Sequence, residues 1–293
     1  MNTFLRSIGF GKLKKQKDIE GLVLRVVQEA ANKSIYTRKD GTVYAEYSLP
    51  TSSSCGIKVC GEEDIEGKLH FNHSFPYICG SAYSNEDDIY INKKIDTDAL
   101  TGMCDDYRIG ISLIFYIQNV AECYNSFGEA REINEQNVKF AALAESGKIL
   151  LPTFNYAQEQ LKRKREANRK NKLIAEAKKG NLEAIESLTM NDIDNYARVS
   201  MRIKNEDLLS IVDTSISPYG SESETYNITG NILEVSSEIN MQTGEKIWIL
   251  KLECNEIAID VCINETDLFG EPAVGRRFRG NVWLQGSVVK GNT

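Results

Sequence analysis

The sequence is poor in the residues and motifs on which many catalytic sites depend. It contains two histidines, His70 and His73, among 293 residues. Histidine is the commonest general base and a frequent metal ligand. The chain also lacks a phosphate-binding loop, a dinucleotide fingerprint, a G-x-S-x-G elbow and an H-E-x-x-H zinc motif. We therefore expect no catalytic residue and no cofactor, although an enzyme is not excluded.

Long apolar runs and paired cysteine motifs are also missing. The longest apolar stretch, 109–117, is far shorter than the roughly 20 residues that cross a bilayer, and the first fifteen residues contain no signal-peptide core. Seven cysteines are scattered through the chain without a C-x-x-C motif. Reduced, mostly buried thiols account for them most simply. The composition therefore predicts a cytoplasmic protein that does not enter a membrane.

Positive charge is scarce overall but concentrated in one place. The net charge is −7, yet residues 161–179 contain nine Lys and Arg residues against two Glu residues. We predict a basic helix over 156–179, because Ala, Glu, Lys and Arg are good helix formers. It could lie against the acidic remainder, dock an acidic protein or contact RNA or DNA phosphates. The predicted binding surface comprises Lys162, Arg163, Lys164, Arg165, Arg169, Lys170 and Lys172, together with Arg276, Arg277 and Arg279.

The first 150 residues alternate between helical and strand patterns. Apolar residues recur at helical spacing over 18–31, which predicts an amphipathic helix. Several short strand patterns follow, and the apolar run 109–118 predicts a central strand. The Ala-rich segment 129–146 predicts a second helix that ends at Gly147. These patterns indicate an α+β domain.

The last 70 residues consist of short strand patterns separated by turns. Segments 226–235, 246–254, 257–263 and 277–285 each carry apolar residues that suit one buried face of a strand. Asn255 and Glu256 separate two of these strands, as in a tight hairpin. Four or five short strands predict a small, nearly closed β-barrel, OB-like or SH3-like. Trp248 and Trp283 are expected in its core.

Together these patterns predict an α+β protein with three segments. They are an N-terminal helix-plus-sheet domain over 1–150, a helical middle segment over 151–220 and a small β-barrel over 221–293. The size of the chain allows two domains with cores of their own.

Cysteines and histidines are clustered between residues 55 and 79. The weak metal or nucleophile candidates are Cys55, Cys60, His70, His73 and Cys79. Their spacing is looser than that of a zinc knuckle. Histidines three positions apart would also point to opposite faces of a strand. Buried thiols with surface histidines are the simpler interpretation, and we predict no metal.

Three segments resemble one family of bacterial cytosolic proteins. They are MNTFLRSIGFGKLKK at the start, SIVDTSISPYGSESETYNITGNI over 210–232 and CINETDLFGEPAVGRRFRGNVWLQG over 262–286. The family carries only a domain-of-unknown-function label, so the resemblance implies no catalytic residue. The favoured hypothesis is a non-enzymatic binding or scaffold protein that acts through the barrel and the basic helix, with a protein as partner. The alternatives are an RNA- or DNA-associated protein, and an enzyme or zinc protein using the Cys/His cluster.

Overall fold

A computed structural model describes most of the chain outside the middle segment. Residues 1–150 and 214–293 form one compact unit, and 151–213 form a second. The predicted basic helix falls in the second unit, and apart from Leu173 and Glu176, both helical, it lies outside the described residues. The described residues are 3–13, 15–83, 87–95, 97–106, 111–151 and 214–290, with 173, 176, 181, 183, 186, 187 and 190.

The α+β prediction is wrong, because strands dominate the described residues. Of these residues, 55% are in strands and 16% in helices. Among the described residues, both α-helices with defined bounds lie before residue 130, and no separate C-terminal barrel emerges. No helix in that part is both long and apolar enough to cross a membrane.

Helix α1 (Gln16–Gln28) confirms the first predicted helix. Its apolar stripe buries Ile19, Leu22 and Val26. The stripe packs on two strands of a four-stranded sheet, as the spacing of the apolar residues requires. This N-terminal sheet has the antiparallel order β1-β2-β3-β4. Its strands are β1 (Asn32–Thr37), β2 (Val43–Pro50), β3 (Cys55–Glu63) and β4 (Leu69–Ile78).

Ten further strands form one large mixed sheet, with a short helix α2 (Val120–Phe127) between its third and fourth strands. Its strands are β5 (Asp87–Lys93), β6 (Leu100–Asp106), β7 (Ile111–Ile117), β8 (Glu132–Leu150), β9 (Ser215–Pro218), β10 (Thr225–Ile239), β11 (Lys246–Cys254), β12 (Ile257–Asn264), β13 (Leu268–Phe269) and β14 (Arg277–Val289). The predicted central strand is confirmed as β7. The β11–β12 hairpin is confirmed too, and Asn255 and Glu256 both take the positive φ of a two-residue hairpin turn.

The strand pairings of the large sheet close into two circuits that share β8 and β14. One circuit runs β5-β6-β7-β14-β8, and the other runs β10-β11-β12-β8-β14. To the two circuits, each half of the chain supplies three consecutive antiparallel strands followed by one shared strand, β8 or β14. The shared strand of each half pairs in parallel with the third strand of the other half, β8 with β12 and β14 with β7. The C-terminal strands therefore do not close alone, which is why the small-barrel prediction is wrong.

Strand β8 replaces the helix predicted over 129–146. Its residues Ala141 to Ala144 are fully buried, and this strand is paired along both edges, with β12 and with β14. The sequence of a strand covered in this way is a continuous apolar run, without the alternation of apolar and polar residues that a half-exposed strand shows. Its alanines favour a helix in an isolated peptide, and pairing with distant strands overrides that preference.

Two glycines face each other in the shared strands. Gly147 of β8 is the register partner of Gly280 of β14. A Cβ atom at Gly147 would lie 2.3 Å from Cε2 of the buried ring of Phe278. The absence of a side chain thus lets the ring of Phe278 cover both strands.

The hydrophobic core runs through both sheets. Trp283 is 6% exposed and stacks on Phe4 with ring centroids 5.5 Å apart, so its predicted core position is confirmed. Trp248 is only partly buried, and the ammonium of Lys246 lies 4.0 Å from its ring centroid. All seven cysteines are free; Cys79 is exposed and the other six are buried.

Candidate functional site

A groove of about 680 Å³ lies between α1 and β4. Such a volume is in the range of ligand-binding clefts. Most of its lining is apolar, and Gln16, Glu20 and Ser74 supply polar side chains. The apolar lining residues are Leu5, Ile19, Leu22, Val23, Leu24, Ile57, Phe71, Phe75 and Pro76.

Two large apolar side chains remain in water on opposite walls of this groove. Leu24 of α1 is 63% exposed, and Phe71 of β4 is 57% exposed. Leu24 lies outside the buried stripe of α1, and β4 carries Phe71 in its exposed N-terminal half. Scattered exposed apolar residues are ordinary, but a pair beside an apolar groove makes this region a candidate binding surface.

The outer edge of β4 is protected against pairing with another strand. Asn72 is an extra residue in the β3–β4 register, because Cys60 pairs with His73 and the next pair is Gly61 with Phe71. Further along β4, Pro76 has no N–H to donate. The carbonyl of Pro76 accepts from Gln285 Nε2 at 2.8 Å. Bulges and prolines are common devices that keep edge strands from pairing, so side chains dominate what this site can recognise.

His73 lies on β4 between the groove residues Phe71 and Phe75 as a half-buried, neutral imidazole. Its ring stacks on Phe75 with centroids 6.0 Å apart. Its Nδ1 donates to Asn72 Oδ1 at 2.8 Å, and its buried Nε2 has no partner among the described residues. Burial lowers the pKa of His73 to about 4, although the carboxylate of Asp98 opposes the shift. A proton on this ring would therefore destabilise the fold.

We expect acid to weaken the fold through His73. Between the ordinary histidine pKa near 6.5 and about 4, the unfolded chain binds a proton that the folded chain does not, so stability falls as the pH falls through this window. The pKa difference corresponds to roughly 3 kcal/mol. His73→Phe should remove this slope, whereas His70→Gln, at the exposed histidine, should keep it. Urea titrations from pH 4 to 7 measure both, and parallel curves for the wild type and His73→Phe would contradict the assignment.

The Cys/His candidates lie on β3 and β4 or just after β4, without forming a metal site. Cys60 and His73 are register partners, and His70 pairs with Glu62. Burial raises the pKa of the Cys60 thiol well above its ordinary value and also raises the pKa of Cys79. Both shifts disfavour a thiolate nucleophile. Among the described residues, no group of three or more His, Cys, Asp and Glu side chains could hold a metal ion.

The predicted arginine surface is only partly accessible. Arg277 is buried, and burial lowers its pKa. Arg276 is half-buried and donates to the carbonyl of Glu271 at 2.6 Å, and Arg279 is half-buried on β14. The predicted basic residues 162–172 lie outside the described residues, so their role as a binding surface stays a prediction.

Sequence reasoning missed the groove. Leu24 and Phe71 come from segments 47 positions apart, and each is unremarkable in its own segment. The available signals were Leu24, which lies off the apolar stripe of α1, and Phe71, which lies between polar neighbours His70 and Asn72. Neither signal shows that the two residues face one groove.

Comparisons with known proteins identify a family whose description names no activity. No curated protein and no solved structure matches the chain. A family model described as "Domain of unknown function, E. rectale Gene description (DUF3881)" matches residues 5–286. That match confirms the resemblance seen in the three sequence segments. It covers nearly all of the chain, and the protein therefore belongs to the DUF3881 family.

Proposed function

We propose that the chain is a non-enzymatic protein-binding module that receives apolar side chains of a partner in the groove between α1 and β4. One observation carries the proposal: Leu24 and Phe71 stand exposed on the two walls of a groove of about 680 Å³. Interfaces concentrate their binding energy in such apolar anchors, and aromatic residues are enriched among them.

A protein fits this groove better than a small apolar molecule. Ligand pockets usually bury 70–90% or more of a small ligand, and their walls are enclosed. Here Leu24 and Phe71 are both more than half exposed, so a small molecule between them would leave much of both side chains in water. A protein surface that lies across the groove would cover both side chains. This difference in buried apolar area favours a protein partner.

The partner is expected to contribute side chains and not a strand. The bulge at Asn72 and the missing N–H of Pro76 interrupt the edge of β4. A helix or loop can insert apolar side chains into the groove without forming backbone hydrogen bonds to the edge of β4. Groove recognition by an amphipathic helix is one common mode.

Photo-crosslinking at the groove tests the proposal. We would replace Phe71 by the photo-crosslinker p-benzoyl-phenylalanine and irradiate the chain in a lysate of its source organism. We expect one dominant protein adduct, reduced at least tenfold when Leu24→Glu places a charge on the opposite wall. Mass spectrometry identifies the adduct, and the purified partner then gives a dissociation constant for both chains.

Phe269 offers a matched control position. It is 81% exposed on β13, and the crosslinker placed there should not capture the same protein. An adduct that forms equally from both positions, or that survives Leu24→Glu, would refute the groove as the binding site. An adduct that nuclease removes would point to nucleic acid, the alternative partner.

We further place this binding in the bacterial cytoplasm. The seven free cysteines support this assignment, since thiols persist unpaired where the compartment is reducing. Measuring the fraction of alkylated cysteine in freshly lysed cells tests it, and a largely blocked thiol population would contradict it.

A further inference from the structure

A second cleft, of about 500 Å³, is lined by several charged side chains, whereas the lining of the first groove is mostly apolar. We call it the lysine cleft. Its walls come from β3, from the end of β4 and the segment after it, from the β7–α2 junction and α2, and from β8 and the end of β14. The lining residues are Lys58, Tyr77, Cys79, Gly80, Gln118, Asn119, Glu122, Ser126, Lys139, Ser287, Val288, Val289 and Lys290.

Buried amides hold the β7–α2 wall of the lysine cleft in place. Gln118 is 4% exposed, and its Nε2 donates to the carbonyl of Ile78 at 3.0 Å and to Gln285 Oε1 at 2.6 Å. Asn119 is 7% exposed; its Nδ2 donates to the carbonyl of Val288 at 2.9 Å, and its Oδ1 accepts from the N–H of Val288 at 3.1 Å. Fully bonded buried amides rigidify the structure around them, so this wall is preorganised.

Lys58 is held rigidly where it lines this cleft. Its Nζ donates to the carbonyl of Gln118 at 2.7 Å and to Glu46 Oε2 at 3.3 Å. Glu46 is 2% exposed and also accepts from the N–H of Ala121 at 3.2 Å. These bonds fix the ammonium and leave its side chain 17% exposed.

Lys139 and Lys290 add positive charge that the described residues leave without a carboxylate partner. The Nζ of Lys139 lies 4.5 Å from the ring centroid of Tyr83, and Lys290 is exposed at the end of β14. The single carboxylate in the lining is Glu122, whose Oε2 accepts from Asn119 Nδ2 at 3.1 Å. Lys58 is already paired with Glu46, so Lys139 and Lys290 supply the positive charge of the cleft that is left for a ligand, against one lining carboxylate.

We propose that the lysine cleft binds a small organic anion through a carboxylate or phosphate group. Lys139 and Lys290 would pair with the anion. The fixed ammonium of Lys58 would lie at the wall beside the anion. Lysine binds both groups as a compact point charge. Tyr77, Val288 and Val289 offer apolar surface to the rest of the ligand. This site is separate from the proposed protein groove, so either can fail without the other.

Cys79 makes the proposal testable in the unmodified protein. It lines the lysine cleft and is the one exposed cysteine of the seven, so iodoacetamide should alkylate it first. We expect pyrophosphate or citrate to slow this alkylation at least fivefold, relative to sodium chloride at equal ionic strength. Intact-mass spectrometry follows the rate, and comparing pyrophosphate with citrate distinguishes phosphate from carboxylate recognition.

Paired lysine variants separate specific binding from a general salt effect. Lys139→Gln with Lys290→Gln should raise the concentration needed for protection at least tenfold. Lys17→Gln with Lys148→Gln, at two exposed lysines outside the cleft lining, should leave it unchanged. A thermal melt of each variant confirms that it is folded.

Two results would overturn the proposal. The first is no protection by phosphate, pyrophosphate or citrate up to about 10 mM, well above a millimolar dissociation constant. The second is equal protection in both double variants, which would indicate the general stabilisation that excluded anions give to any folded protein.

Discussion

A chain cut at its middle segment should reassemble from its two ends. We expect fragments 1–150 and 214–293 to be unfolded or aggregated when expressed separately, and to form one folded complex when coexpressed. The fragments correspond to the two stretches of the larger compact unit. Circular dichroism and a cooperative thermal transition measure the outcome, and size-exclusion chromatography gives the stoichiometry.

The expectation follows from how β8 and β14 are shared. Without the second fragment, β8 loses both β12 and β14, and its fully buried residues Ala141 to Ala144 would face water. Without the first fragment, β14 loses β7 and β8, and the second circuit stays open. Open strand edges of this length promote aggregation, so each fragment needs the other.

One substitution provides the control for reassembly. Ala142 pairs with Val261 on one side and with Leu284 on the other. Ala142→Asp would bury an unpaired carboxylate between the shared strands. Burying such a group costs more free energy than the pairing of two strands contributes. Coexpressed fragments with this change should not assemble. A cooperative transition in either wild-type fragment alone would show that the halves are independent after all.

Replacing Lys58 by methionine should cost about 3–5 kcal/mol of unfolding free energy, because it leaves a buried carboxylate without its counter-charge. The carboxylate is that of Glu46, which Lys58 Nζ contacts at 3.3 Å. Chemical denaturation at pH 7 measures the loss.

The double variant Glu46→Gln with Lys58→Met should recover most of this loss. Glutamine can still accept from the N–H of Ala121, and no charge is then buried. A Lys58→Met chain as stable as the wild type would contradict the role of the pair, and so would a double variant no better than Lys58→Met.

The pH dependence of the Lys58→Met loss has a definite sign. Burial raises the pKa of Glu46, and Lys58 opposes that shift. Without Lys58, the folded chain binds a proton at a pH where the unfolded chain has released it. Stability of the variant should therefore rise as the pH falls from 7 towards the ordinary glutamate pKa. This slope is opposite to the one expected from His73, so the two groups can be told apart.

Local patterns predicted the elements whose partners are close in sequence. The hairpin β11–β12 follows from alternating residues and a two-residue turn, and α1 follows from its stripe. The pattern gave the wrong prediction at β8. Its alanine-rich run favours a helix in isolation, but in the fold it forms a strand that is paired along both edges. The strands that pair with Ala141 to Ala144 of β8, β12 and β14, lie more than 100 residues further along the chain, so no local signal identifies them.

The candidate sites were harder to predict than the elements. The groove joins Leu24 to Phe71, and the lysine cleft joins Lys58 to Lys139 and Lys290. Nothing in the sequence around each of these lysines distinguishes it from other lysines of the chain. Only the strand order of the two sheets brings them together, and the sequence pattern did not contain that order.

The sharing of β8 and β14 also determines when the protein can fold during its synthesis. After β8 is made, roughly 140 more residues must be translated before β14 is complete, which takes about 7–30 s at bacterial and eukaryotic elongation rates. For that time the nascent chain holds a long apolar strand without two of its neighbours. We therefore expect newly made chains to depend on chaperones that shield apolar segments, and the segment 151–213 to lengthen that wait.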